Sequence, residues 1–293
     1  MSSKNRERSI HFPSDSTLRK AFSVFFAFLL ALSLFLLTLL AVFRFGIVSQ
    51  DAFLSLIDED YAKYTLEEIR ADADYYVTPT GIDPSVLDGV FTTEGIIADV
   101  RAGIANSFAG KEEEYVPDTA AYEAKLDSQI RAFLEENNLE PKDGTTDELI
   151  THFTTDIMKI YTNEASLPAM SLFTQVYSFS MKYGIAAIIG LAVLALIFLV
   201  TCLKLHYFFH RGLRYVAYSF GGVGLMSLAI PGWLYFSKFY NGFNLQPHYF
   251  YHFAVTLVVR LLRYVMAAGV FWLVLTVILA VIISIRRAAL MKG

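Results

Sequence analysis

Four uninterrupted apolar runs, at 21–43, 184–203, 215–236 and 264–285, are separated by one long polar stretch, 44–183, and two short ones. Each run supplies the 20 or so residues that an α-helix needs to cross about 30 Å of hydrocarbon. None contains Asp, Glu, Lys, Arg or His. The pattern predicts an all-α membrane protein: four transmembrane helices, with an extracytoplasmic α-helical domain inserted between the first and second. The first run exceeds the apolar core of a signal peptide, and residues 41–46 lack a small-x-small cleavage pattern, so it reads as an uncleaved helix. The third run is weaker, carrying Pro231 and several glycines. Within it Ala217, Gly221, Gly224 and Ser227 recur every three or four residues, a face of small residues that lets helix backbones approach. The fourth run starts at Tyr264, because an earlier start would place Arg260 and Arg263 deep in the bilayer at about 2.5–3.5 kcal/mol each.

The polar stretch has its own helical period. Phe53, Ile57, Tyr61, Tyr64, Ile69, Ala73 and Tyr76 form one stripe, and Leu87, Phe91, Ile97, Val100, Ile104 and Phe108 a second. Tyr122, Leu126, Ile130 and Phe133 form a third, and Leu149, Phe153, Ile157 and Ile160 a fourth. Asp83-Pro84 reads as an N-cap with proline at the first helical position, and Thr145-Thr146-Asp147-Glu148 as a capping box. Turn residues Pro79, Gly81, Gly110, Pro117, Asn137, Asn138, Pro141 and Gly144 fall between the stripes. These signals predict a bundle of four or five helices. Its last segment, 166–182, and the segment 249–263 have no breaker before the spans that follow, so both are expected to enter the membrane as continuous helices. They would form a stalk on which Arg260 and Arg263 face the domain's carboxylates.

Charge sharpens this division. Residues 51–182 hold 26 of the 28 acidic residues and 9 of the 24 basic ones, a formal charge of -17 against +13 for the rest of the chain. Basic residues in the short segments orient the spans. With the amino terminus inside, the cytoplasm receives eleven: Lys4, Arg6, Arg8, Arg19, Lys20, Lys204, Arg211, Arg214, Arg286, Arg287 and Lys292. Four lie outside: Arg44, Lys238, Arg260 and Arg263. The expected order is a cytoplasmic N-terminus 1–20, span 21–43, acidic domain 44–183, span 184–203, cytoplasmic loop 204–214 and span 215–236. An outer loop with an amphipathic helix, 237–263, the last span 264–285 and a cytoplasmic tail 286–293 complete it. The expected address is a bacterial plasma membrane with both termini cytoplasmic. Cys202 is the single cysteine, so the domain must hold together without a disulfide.

Candidate chemistry is sparse. Carboxylate clusters at Asp58-Glu59-Asp60, Glu112-Glu113-Glu114, Glu135-Glu136 and Asp147-Glu148 read as a solvated acidic face that attracts cations diffusely. Asp72-Ala73-Asp74 opens like a calcium loop, but Val77 stands where the turn needs glycine. Cys202, His206 and His210 share one helical face, and His248 and His252 are four apart, a spacing that could hold a transition metal. The Tyr and Phe around both groups fit interfacial anchoring instead. Gly221-Gly222-Val223-Gly224 lacks the strand and lysine of a phosphate loop, and no hydrolase or zinc-protease motif occurs. No catalytic, cofactor or metal residue is therefore assigned, and no nucleic-acid partner is expected. An ionisable relay across the bilayer is missing from the four runs, which disfavours a self-sufficient transporter.

In its order of spans the chain resembles the permease subunits of the cell-division and macrolide-exporter type: one span, an outer domain, then three spans. That resemblance implies a membrane subunit passing force between a cytoplasmic ATPase and an outer partner, with 204–214 in the place of the ATPase-docking loop; it rests on topology alone and assigns no residue a role. The expected function is a non-enzymatic membrane subunit, in contact with lipid, whose outer domain binds a protein partner or a cationic ligand and passes the signal through continuous helices. The alternatives are an oligomeric channel or pore subunit, resting on the glycine face of the third span, and a lipid-active enzyme using His248 or His252.

Overall fold

The computed structural model describes residues 16–109, 115–138, 146–167, 170–206 and 209–292. Lys4, Arg6, Arg8, the Glu112-Glu113-Glu114 run, Gly110, Pro141, Gly144, Thr145, Pro168, Tyr207 and Phe208 lie outside the described residues, as do the side chains of Thr146, His210, Arg287 and Lys292. All regular structure among the described residues is helical. Four helices are long and apolar enough to cross a membrane, over Leu18–Ile47, Leu172–Lys204, Arg211–Ser237 and His248–Arg286. The chain divides into two compact units. One, the apolar unit, gathers the described residues of Met1–Leu40, Ala186–Trp233 and Val265–Gly293; the other, the acidic unit, comprises those of Ala41–Ile185 and Leu234–Tyr264.

The acidic unit is built from α2 (Gln50–Leu54), α3 (Glu59–Val77), α4 (Thr93–Phe108), α5 (Ala120–Glu136) and α6 (Thr146–Glu164), following α1 (Ser16–Ala41) and its π-helical extension Val42–Ile47. The first parts of α7 (Met170–Lys204) and of α9 (His248–Lys292) also belong to it, while α8 (Phe209–Ser237) lies mainly in the apolar unit. Short polar side chains start the helices. Ser49 Oγ accepts from the Ala52 amide, Asp58 Oδ1 from Tyr61 and Thr92 Oγ1 from Gly95, each satisfying an amide that the first turn leaves free. Leu56, Ile57, Tyr61, Ile69, Ile96, Ile104, Leu126, Ile130 and Ile157 fill the core, each 1% exposed or less.

Three readings of the polar stretch need correction. The first stripe is two helices, because Asp58 caps a new helix immediately after Phe53 and Ile57 have entered the core. Asp83-Pro84 does open a capped turn, but it is the short 3-10 turn Pro84–Leu87; α4 waits for Thr92. On α6 the buried face is turned by one position: Leu149 is 61% exposed, while Ile150, Met158 and Tyr161 are buried. Outside that stretch, α8 begins at Phe209, so residues 209–214 of the segment expected between the second and third spans are helical. The two continuous helices expected on either side of the domain are present as α7, of 35 residues, and α9, of 45.

In the apolar unit Ala27, Leu30, Ala31 and Leu34 of α1 pack with Ala195 and Cys202 of α7 and Val216 and Val223 of α8. Several polar groups here find partners within the unit, as suits a region without water, while Ser227 Oγ is buried without one. Trp272 Nε1 donates to Thr38 Oγ1 at 2.9 Å, and Thr38 in turn donates to the Leu34 carbonyl. Ser219 Oγ lies 2.7 Å from the Ala27 carbonyl oxygen. Side chains such as Ile189, Val193, Leu196 and Ile197 on α7, and Val270, Val274, Val277 and Val281 on α9, stay exposed. That is the surface expected of helices solvated by lipid.

Candidate functional site at a helix break

Residues 55–58, between α2 and α3, turn the chain while leaving backbone carbonyls without helical partners. Two arginines from distant elements supply donors. Arg260 of α9 donates to the Ala52 carbonyl at 2.9 Å and to Ser55 Oγ at 2.6 Å, and Arg101 of α4 donates to the Ile57 carbonyl at 2.9 Å. A guanidinium at the end of α2 also complements the negative end of its dipole. Asp58, already capping α3, has Oδ1 3.4 Å from His252 Nε2. The two are near enough for an ion pair when the imidazole is protonated, but their angle does not make a hydrogen bond, and Nε2 is buried without one.

Aromatic packing reinforces the junction. Tyr249 and Phe253, in the first two turns of α9, are 2% and 0% exposed and belong to the same core as α3, α4 and α6. Tyr249 meets Tyr61 edge to face at 5.5 Å between ring centres. Phe253 meets Phe53 and Phe173, both at 5.8 Å, and Phe173 comes from the first turn of α7. His248 and His252 both contact the Tyr64 ring. The opening turns of α7 and α9 therefore complete the core of the acidic unit.

Next to this junction lies Glu164, the last residue of α6. Its Oε2 is buried without a partner. Burial raises the carboxyl above its usual range; a hydrogen bond from Tyr249 opposes that rise, and the charges of Asp72 and Glu68 add to it. A carboxyl whose folded pKa is raised contributes its full stability below the unfolded value and loses it as pH climbs through the folded one. Stability of the chain is thus expected to fall as pH rises from the ordinary glutamate range, and Glu164→Gln should flatten that part of a melting-temperature profile. An unchanged slope in the variant would remove Glu164 from the account. Farther along α6, Tyr161 and Tyr115 both donate to Asp99, and Tyr161 stacks on Phe91. Burial raises Tyr161 far out of the physiological range, so this group acts as a lock between α4 and α6.

The remaining expected site residues separate into different roles. Arg260 reaches the domain through a carbonyl and a hydroxyl, not a carboxylate, and Arg263 contacts the Tyr235 hydroxyl at 3.3 Å. The expected pairing with domain carboxylates is therefore corrected: the acceptors within reach of Arg260 are the Ala52 carbonyl and the Ser55 hydroxyl at the helix break. The Ala52 carbonyl also accepts from Ser55 Oγ at 2.8 Å, so losing the Arg260 donor would remove hydrogen bonds from a charged group, at about 1.5–3 kcal/mol, without leaving that oxygen unpaired. On α8, Ala217 is buried, and a side chain added at Gly221 would touch Thr276 of α9. Gly224 and Ser227 face Gly269 of α9, so this part of the small-residue face is occupied within the chain. His206 stacks on Tyr215 with Nε2 2.9 Å from Ser23 Oγ, and Cys202 is buried in the apolar core. Among the described residues no three His, Cys, Asp or Glu side chains gather closely enough to hold a metal ion. The α2–α3 break was missed in the sequence, although its signal was there: an aspartate followed by two acidic residues is a helix start.

No protein family, curated protein or solved structure matches this chain.

Proposed function

We propose that this chain is a non-enzymatic membrane protein of the plasma membrane with both termini in the cytoplasm, whose acidic helical domain lies on the outer face, binds a protein partner or a cationic ligand, and couples its state to the membrane helices. One observation carries the reading. Tyr249 and Phe253 of α9 and Phe173 of α7 sit in the domain's own core, and each of these helices goes on without interruption into residues of the apolar unit. A rearrangement of that core must move the first turns of two membrane helices, because packed interiors shift between discrete arrangements rather than deform smoothly. The excess of negative charge in residues 51–182 favours a basic partner, and the excess of basic residues in the other short segments supports the orientation. A cytoplasmic ATPase is the second partner that the order of spans suggests.

Single cysteines introduced into a Cys202→Ala background test both halves of the proposal in intact cells. Ser128→Cys, exposed on α5, should react with a membrane-impermeant maleimide, and Lys20→Cys should react only after the membrane is opened. The same Ser128 label, carrying an environment-sensitive dye, should shift its emission when a short polylysine is added. Protection of position 128 in intact cells would overturn the orientation. A polylysine-induced shift at position 128 that leaves Trp272 emission unmoved, read in a Trp233→Phe background, would overturn the coupling.

A further inference from the structure

A cavity of about 490 Å³ lies between the start of α1 and the end of α7, lined by Leu18, Arg19, Phe22 and Phe26 on α1 and by residues including Val200 and Lys204 on α7. Its two ends differ in chemistry. Phe22 and Phe26 follow Arg19 by three and seven residues along α1, so the aromatic wall extends about 10 Å away from the guanidinium. Val200 stands one turn before Lys204 on α7. Since both helices line the same cavity and run in opposite directions, Arg19 and Lys204 fall at one end, beside Leu18 and Leu205, and Phe22, Phe26 and Val200 lie toward the other. Neither cation has a carboxylate partner among the described residues, and both are exposed.

We infer that this groove is a binding site for an anionic phospholipid, with the phosphate held by Arg19 and Lys204 and an acyl chain lying along Phe22, Phe26 and Val200. A guanidinium offers paired donors to phosphate oxygens and an ammonium adds a compact second charge. Basic pockets between membrane helices take anionic head groups for this reason. A soluble anion would leave the aromatic wall bare, and a neutral or zwitterionic lipid would leave two cations against a head group bearing its own ammonium. The amphiphile matches both ends. The inference requires only that the four apolar helices are in a membrane, and it stands whether or not the acidic domain binds a partner.

The test uses the whole chain, reconstituted in nanodiscs of phosphatidylcholine with a minor share of phosphatidylglycerol, then released and weighed by native mass spectrometry. Retained phosphatidylglycerol should exceed its share in the disc about thirtyfold, the size expected for two basic side chains at an anionic head group. The double variant Arg19→Gln, Lys204→Gln should bring the two lipids close to parity, while Lys238→Gln should leave the preference intact. Val200→Phe, made in a Trp233→Phe background, fills the groove without touching either cation, and it should lose the retained lipid with Trp272 emission unchanged. Equal retention of both lipids by the unmodified chain, or a preference that survives the double variant, overturns the site. A preference that survives Val200→Phe assigns the effect to diffuse surface charge and overturns it equally.

Discussion

Truncating Phe253 to alanine is expected to destabilise the acidic unit by about 3–5 kcal/mol, a large part of the stability a domain of this kind possesses. The ring is completely buried and sits within 5.8 Å of both Phe53 of α2 and Phe173 of α7. Removing it opens a cavity whose walls belong to three helices, and relaxation into that space would have to move α9 relative to α2 and α7 together. Pulse proteolysis of the full chain at increasing denaturant should show cleavage within α5 at much lower concentration in the variant. Phe250→Ala, one turn earlier and only partly buried, should cost clearly less. If both variants unfold with the parent, within about 0.5 kcal/mol as for an ordinary surface substitution, then α9 is not part of the domain's core. The proposed coupling would lose its physical basis with it. A partial result is informative too: a variant that keeps the fold but no longer passes the polylysine response to Trp272 would place the coupling in this contact.

The apolar runs were legible in the sequence because an α-helix in hydrocarbon has to satisfy its own backbone and present apolar side chains on every side, so length and composition suffice. The stripes of the polar stretch located α3 to α6 for the related reason that a one-sided core imposes the helical period. What periodicity could not register was the break at residues 55–58. Phe53, Ile57 and Tyr61 keep a spacing of four across it, since both helices present their apolar side to the same core. Only the cap at Asp58 distinguishes one helix from two, and in an acidic stretch a capping aspartate is hidden among neighbours that do nothing of the kind. The one-position turn of α6 has a similar origin: Leu149 and Ile150 are equally apolar, and the core selects Ile150. The candidate junction was less accessible still. Arg260 stands out for its charge and its place before a span, but its acceptors are a carbonyl and a serine hydroxyl 208 and 205 residues away in sequence. No pattern of side chains announces which carbonyl will come within reach of a distant arginine once the chain has turned.

The backbone crossing of α8 and α9 supports the second large effect, expected for Gly269→Leu. A Cβ at position 269 would lie 2.9 Å from Ser227 Cβ, 3.0 Å from Leu228 Cγ and 3.2 Å from the Gly224 carbonyl oxygen, and one at Gly224 would meet Leu273 at 2.7 Å. The obstacles at 269 include backbone, so no rotation of a flexible side chain relieves them; the helices must separate. Overpacking of this kind costs about 1–3 kcal/mol and occasionally more, and here the dispersion contacts along the whole crossing are lost as well. Gly190 of α7 has nothing within 4 Å of an added Cβ, so Gly190→Leu is expected to be neutral. Trp272 provides the readout, since it lies three residues beyond Gly269, bonds Thr38 and meets Phe220 edge to face. In a Trp233→Phe background its emission should melt at a markedly lower temperature with Gly269→Leu and unchanged with Gly190→Leu. If the small-residue face instead joined copies of the chain into a pore, Gly269→Leu would alter the oligomeric state while leaving Trp272 emission and its melting as in the parent. That outcome would reverse the assignment of the face to packing within one chain.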